Sequence, residues 1–445
     1  MIERSRGTAQ AEAPTRRLGL RTATMLVVAS MVGSGVFTTT GFLLRDLGSA
    51  PAVLTVWLLG GVLATCGALA YAELTAALPE NGGEYALLSR IYGSPYGPAL
   101  GFLSGWVSLV VGFSAPIAAA AMAFGAYTER VLPVLDRTAL AVGLIGASSV
   151  LHAVRVRLGG RVQDAVTLLD LLLIGAFVAA GLAMGDLGRL TAEGWTSIPT
   201  ALGTSTAAVG LVYVSYSYSG WNAAAYVAGE VRAPRRTLPR ALLLGTSLVT
   251  VLYLALNAVY LAGAPPAALS GQLEVAHVAA EHLLGPVAAP WVSGLVAVGL
   301  ATSVGALTMT GPRIYERMGQ DHARLRTLAV RRGRGGPVRA VVLQTVVALL
   351  LAVTSTYDAL LTYIGFTLAL SSGLTVAGVF VLRRREPDLE RPYRVWGHPV
   401  TTALALLLMG WMVALTLVER PLAALAGVGT LAAGLLVYRW LSRPA

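Results

Sequence analysis

The sequence predicts an all-α protein that crosses a membrane many times. Of its 445 residues, 56% are hydrophobic and 12% charged, about half the charged share of a soluble domain. Long apolar runs recur from about residue 22 to the C-terminus, separated by short polar turns. Each is long enough for a helix of about 20 residues to cross a hydrocarbon core ~30 Å thick. The runs are continuous and lack a two-residue alternation, which excludes a β-barrel.

Twelve spans are expected, at about 22–44, 52–78, 97–128, 139–156, 162–184, 203–230, 239–263, 285–315, 339–355, 358–382, 398–417 and 421–441. They form a single transmembrane domain, 22–442, behind a polar tail at 1–21 whose first 18 residues read as irregular. The first run is too long for a signal-peptide core and no small-residue cleavage site follows, so it stays as the first span. Near its middle stands Gly33-Ser34-Gly35-Val36-Phe37. The second span holds Cys66, the sole cysteine, which rules out intrachain disulfides and cysteine metal clusters and reads as a small packing residue. A segment at 83–96 joins it to the third span, where Pro116 is expected to kink the helix.

The fifth span carries Asp170, about 12 Å from its start at 1.5 Å per residue. An ionised carboxylate at such depth costs at least ~2.5–3.5 kcal/mol unless partnered or wet. The sixth span is interrupted by Ser215-Tyr216-Ser217-Tyr218-Ser219-Gly220-Trp221. The outer loop at 264–284 holds Pro265-Pro266, His277 and His282; two histidines five apart miss the i, i+4 face of a metal pair and read as solvated. The inner loop at 317–338 is rich in arginine and glycine. Glu73, Glu84 and Glu230 fall near inner helix ends, where pairing with arginine is expected.

All 33 basic residues are arginine. With the N-terminus in the cytoplasm, only Arg45, Arg130, Arg137, Arg189 and Arg420 lie outside, leaving 28 on the inner side. This positive-inside pattern places both termini in the cytoplasm; the cell's inner, cytoplasmic membrane is the expected location. It accounts for the formal charge of +11 without nucleic acid.

Glycine and serine are poor interior residues for a spanning helix, and lipid cannot solvate a freed backbone group. Breaks at matching places in two halves point to a binding site of unwound helix. Unwinding at Gly33–Gly35 would leave free N–H groups at Ser34, Gly35 and Val36, at the positive end of a helix dipole, where a carboxylate is stabilised. Free carbonyls near Met31, Ser215, Tyr216 and Ser219 would attract an ammonium. An α-amino acid carries both charges on adjacent atoms. A small-residue seam between straight helices is the alternative.

At this point the residues resemble a known family. Met31-Val32-Gly33-Ser34-Gly35-Val36-Phe37 resembles the first-helix motif of amino acid permeases of the amino acid–polyamine–organocation superfamily, near the L-type (SLC7-like) branch. Gly67 to Leu74, then Pro79 and Gly82-Gly83-Glu84-Tyr85, resemble its second-helix and loop signature. Tyr218-Ser219-Gly220-Trp221-Asn222 and the run from Glu230 to Pro239 resemble the sixth helix and the loop after it. Gly311-Pro312-Arg313-Ile314-Tyr315 and Arg391-Pro392-Tyr393-Arg394-Val395 fit its eighth helix and the approach to its eleventh. The resemblance covers nearly the whole chain. It implies a five-plus-five inverted repeat (LeuT-type; about 22–184 and 203–382) with discontinuous helices 1 and 6, helices 11–12 lying outside it, and alternating access. It implies a substrate carboxylate held around Ser34 and Gly35, an amine held by carbonyls at Met31, Tyr216 and Ser219, and a gate at Tyr216. Gly33, Val36, Ser215 and Gly220 complete the expected substrate-binding set.

One departure stands out. Many members carry lysine on a Thr-x-x-Lys motif in the fifth helix; here the run is Thr167-Leu168-Leu169-Asp170, and the chain has no lysine to replace it. Asp170 is therefore the candidate coupling residue, with Ser303 and Thr308 as helix-eight neighbours. Na⁺, a proton, a distant Arg313 or cavity water is its candidate partner. The alternative is a wet or arginine-paired structural carboxylate.

The expected function is a secondary transporter or exchanger of neutral L-amino acids, as uniporter, antiporter or symporter. Alternatives are a cationic amino acid or polyamine transporter and a non-transporting sensor. No phosphate-cradling Gly-rich loop with lysine supports ATP-driven transport, and no intramembrane nucleophile or histidine cluster supports an enzyme. No cofactor and no disulfide-linked partner are expected.

Overall fold

The computed structural model describes residues 18–80, 82–154, 159–191, 198, 202–330 and 337–443. Within these, the side chains of Val154, 159–167 and Asp170 lie outside the description, as does most of the expected N-terminal tail. The described chain is helical, with one isolated bridge between Leu18 and Val231.

The first span forms two helices, α1 (Leu20–Met31) and α2 (Ser34–Leu47), bent by 40° at Val32-Gly33. Helix α2 ends on Gly48, left-handed at φ 69°, whose N–H returns to the Leu44 carbonyl. Helix α3 (Ala50–Ala77) starts at Ser49, whose hydroxyl accepts from Ala52 N–H, with Pro51 in its first turn. The joining segment holds a helix of its own, α4 (Gly83–Tyr92). The third span is α5 (Gly97–Val107), a π-helical stretch at Ser108–Ser114, and α6 (Ala115–Glu129). Pro116 lacks an N–H and crowds the preceding turn; a widened π turn directly before it absorbs both defects. The kink expected at Pro116 is thus a change of helix type spread over seven residues.

Then come α7 (Arg137–Val154) and α8 (Gly159–Met184). The sixth apolar segment is a capped helix, α9 (Ser205–Ser217), followed by unwound residues, one turn at Ala223–Tyr226 and a 3₁₀ turn at Ala228–Glu230. Helix α10 (Pro234–Gly263) follows. The outer segment expected as a loop is largely helical, with a turn at Pro266–Leu269 and α11 (Val275–Leu284). It packs against the first span: Gly271 N–H donates to the Gly41 carbonyl at 2.8 Å, and a Cβ on Gly41 would lie 1.9 Å from the Gln272 carbonyl oxygen. His277 is consequently not solvated. It is 8% exposed, with Nδ1 2.8 Å from Ser293 Oγ. His282 is exposed, as expected, with Nδ1 2.9 Å from the Val278 carbonyl. Alternating small and apolar residues (Val275, Ala276, Val278, Ala279, Ala280) turn this face inward.

The chain ends with α12 (Ala289–Asp321), α13 (Val338–Thr354), α14 (Tyr357–Arg385), α15 (Val400–Glu419) and α16 (Pro421–Leu441). Among the described residues seven helices are long and apolar enough to cross a membrane, eight with the bent α1–α2 pair; Arg137–Ala153, Leu171–Met184 and Val338–Thr354 are shorter apolar helices. The exterior is apolar, with Leu407 (71% exposed) on α15 and Leu422 (84%) on α16. Contiguous exposed apolar surface of this kind needs lipid around it. Tight interior crossings use small residues instead: Gly60 and Gly61 of α3 lie against Val214, Tyr218 and Thr250. Cys66 is buried within α3. Two packing groups stand out. Helix α10 lies along α3 and α1, whereas α6, α7, α12 and α13 pack on one another.

Candidate functional site

The two breaks touch. A Cβ on Gly35 would lie 2.4 Å from Ser217 Oγ and 2.6 Å from Ser217 Cα, and one on Gly220 would lie 2.3 Å from the Ser30 carbonyl oxygen. Gly220 also has φ +100°, which L side chains rarely adopt. Only glycine at these two positions lets α1–α2 and the second break close on each other.

No side chain caps the start of α2; Gly33 is merely extended. The first-turn N–H groups of α2 therefore face the break, as the sequence implies, and they favour an anion. The expected carbonyls are partly engaged. Tyr253 Oη donates to the Met31 carbonyl at 2.6 Å, and Ser219 N–H donates to the Tyr216 carbonyl at 2.9 Å. Each oxygen retains a second lone pair. Ser215, Tyr216 and Ser217 stand in the last turn of α9, so the second break begins at Tyr218, three residues later than its glycine and serine content alone marks it.

On one side of the breaks, hydroxyls lace the helices together. Ser34 Oγ is 2.7 Å from Tyr216 Oη, Thr38 Oγ1 2.8 Å from Tyr357 Oη, and Thr39 Oγ1 3.0 Å from Ser217 Oγ. Thr40 Oγ1 contacts Asn257 Oδ1 and accepts from Trp57 Nε1. On the other side lies a cavity of about 370 Å³. Met31, Gly33, Ser34, Gly35, Ser215, Tyr216, Ser219 and Gly220 all line it, together with Ser303 of α12. Val36 and Thr308 are buried outside its wall, and Thr308 Oγ1 is spent on the Val304 carbonyl. The cavity lining also includes Leu26 and Ala29 of α1 and Met309 and Arg313 of α12. The Asp170 carboxylate lies outside the described residues, and no cluster of metal-ligating side chains occurs among those described.

The sequence reading gives Glu84 an arginine partner rather than a place at the site. Glu84 lines the cavity and is 5% exposed. No arginine contacts it among the described residues. Its Oε1 accepts from Tyr71 Oη, from Asn222 Nδ2 at 3.0 Å and from Ser372 Oγ at 3.0 Å; its Oε2 accepts from Ser371 Oγ at 3.0 Å. The available signal was Gly82-Gly83 immediately before it. Gly83, at φ +55°, would put a Cβ 2.4 Å from the Tyr226 ring, a mark of a crowded crossing. Glu73 does meet arginine, as expected. It is 1% exposed, with Arg383 at 2.6 Å, Arg391 at 3.5 Å and Val395 N–H at 2.7 Å. Glu230 is exposed.

The cavity is about the size of a small metabolite and is walled by residues of both breaks. Comparison with known proteins identifies the family. The amino acid permease family profile matches residues 18–436.

This chain belongs to the amino acid permease family.

The human large neutral amino acids transporter small subunit 2 is 29% identical over 439 residues, covering 95% of this chain and 80% of that protein. The mouse b(0,+)-type amino acid transporter 1 is 29% identical over 390 residues (85% and 78%). The mouse Asc-type amino acid transporter 1 is 27% identical over 447 residues (96% and 82%). These relatives are named as transporters, not enzymes, and their likeness runs through nearly all of this multi-pass membrane permease.

Proposed function

We propose that this permease is a secondary transporter of neutral L-amino acids that works by alternating access, with the substrate head group held by the unwound backbone of the first and sixth spans. The observation that carries this reading is the contact of the two breaks on one cavity wall, Gly35 against Ser217 and Gly220 against Ser30. The substrate carboxylate faces the first turn of α2. The ammonium faces the carbonyls at Met31, Tyr216 and Ser219. Tyr216, bonded to Ser34, closes the cavity on the hydroxyl-laced side. Counting the bent pair, the shorter apolar helices and the broken sixth segment as spans gives twelve, which fits a five-plus-five repeat followed by α15 and α16. Arginine placement supports a cytoplasmic side for both termini.

Asp170, on α8, is our candidate for cation coupling, with Ser303 on the cavity wall as the helix-eight neighbour. A second reading, a cationic amino acid as substrate, is favoured by the presence of Glu84 on the wall. Its acceptor sites are largely filled by four neutral donors, so the neutral reading stands first.

The test is counterflow in sealed proteoliposomes. Labelled alanine or leucine should enter faster when unlabelled neutral amino acid is trapped inside, with arginine and putrescine competing weakly. Ligand-induced thermal stabilisation without flux would make the protein a sensor. Imposed Na⁺ and H⁺ gradients, applied to wild type and Asp170→Asn, decide the coupling: gradient dependence unchanged in the variant removes Asp170 from it.

A further inference from the structure

We infer that Glu84 is a positioning residue, a carboxylate clamp that fixes the second break between α3, which belongs with α1 and α10, and the neighbouring α4 and α14. This rests on the transport reading for its consequence, though not for its geometry.

The donors to Glu84 come from separate elements. Tyr71 belongs to α3, Asn222 to the unwound segment after α9, and Ser371 and Ser372 to α14. Glu84 itself sits in the first turn of α4, which packs mainly on α5 and α14. Helix α3 packs mainly on α10, beside α1. The carboxylate therefore bridges a helix of the α1–α3–α10 group to the α5 side of the molecule. It does so at the cavity wall, one residue from Trp221, whose ring stacks edge-on to Tyr71 with centroids 4.7 Å apart.

The chemistry of the group decides between a clamp and a ligand. An ionised carboxylate offers about four lone-pair sites and no donor. Four donors occupy it, three of them on Oε1, so it has little left with which to bind a substrate. Hydrogen bonds to a charged acceptor are shorter and roughly twice as strong as neutral ones. All four donors are neutral, so each can exchange the carboxylate for water without leaving a second buried charge. A joint of this kind is firm when assembled and separable in a cycle that moves α4 and α14 past α3. Neighbouring Gly83 permits the close approach to Tyr226 that brings α4 against the second break.

The experiment uses the full chain and two readouts. The first is backbone amide exchange across residues 218–227 in detergent, which needs no knowledge of the substrate. Glu84→Gln keeps the shape but puts an amide donor where only acceptors serve. Exchange across 218–227 should rise about tenfold while α7 and α12 stay as in the wild type. The second is counterflow, where Vmax should fall about tenfold with KM within about threefold of wild type. Glu84→Gln combined with Asn222→Asp restores a donor–carboxylate pair and should recover part of both; Ser371→Ala with Ser372→Ala serves if Glu84→Gln does not fold. Wild-type exchange protection at 218–227 in either folded variant overturns the inference. A uniform rise in exchange along the whole chain also overturns it, as general destabilisation. If the wild type moves no amino acid, the transport reading fails, and amide exchange alone still decides the clamp.

Discussion

At the residue scale, the site depends on two missing side chains. Gly35→Ala would drive a methyl into the Ser217 backbone, and Gly220→Ala would both meet the Ser30 carbonyl and hold φ +100°. Overpacking of this kind costs about 1–3 kcal/mol. Both variants should therefore lose most counterflow activity and melt several degrees lower, measured by uptake and thermal unfolding. Tyr216→Phe is milder. It deletes only the hydroxyl bonded to Ser34, at about 0.5–1.5 kcal/mol. It should alter uptake kinetics while leaving the fold intact, and wild-type kinetics would remove the hydroxyl from the gate. The Gly-Ser-Gly run was legible in the sequence because a break there has few other residues to be made of. Glu84 was misread because a carboxylate near a helix end in an arginine-rich chain is ordinarily salt-bridged. Which neutral donors converge on it depends on three other elements, and no local pattern records that.

At the element scale, ion pairs sort by burial. Glu73 ties the end of α3 to Arg383 of α14 and to Arg391 and Val395 before α15, with its side chain 2% exposed. Removing a partner of a buried pair costs up to about 3–5 kcal/mol; Arg391 and the Val395 N–H stay on Glu73, so Arg383→Ala falls toward the lower end of that range. Arg235–Glu390, at 2.6 Å but 51% and 70% exposed, belongs to the class worth about 0–1 kcal/mol. Thermal unfolding of Arg383→Ala against Arg235→Ala should separate the two clearly; equal losses would sink the ranking. Helix limits were mostly legible from apolar run length, since lipid demands a spanning length whatever the packing. The exceptions are segments whose length is set by neighbours. The expected outer loop is helical because α2 and α12 bury its small-residue face, and α12 continues past its apolar run to Asp321. The π turn before Pro116 was not legible either, because proline marks a defect without specifying how the ladder absorbs it.

At the scale of the whole molecule, the interior is wet with hydroxyls near the breaks and the exterior apolar, the reverse of a soluble protein. Its acid response follows from histidines outside the spans. Burial, and then the nearby Arg130 charge, hold His277 below its ordinary pKa of 6.5; burial does the same for His322. The folded state thus prefers neutral imidazoles and the unfolded state binds more protons below pH 6.5. Their stabilisation is complete above that value and lost as pH falls through the lowered folded values. Thermal midpoints should decline from pH 7 downward, and His277→Asn should flatten the upper part of that decline. A midpoint that rises on mild acidification would contradict the sign.

The seclusion of Cys66 has a practical corollary. The sole thiol is out of reach of aqueous maleimides, and arginine has displaced every lysine. The natural chain is already a silent background for labelling chemistry. A single engineered cysteine on the cavity lining, Ala29→Cys for instance, would report by itself which compartment reaches it.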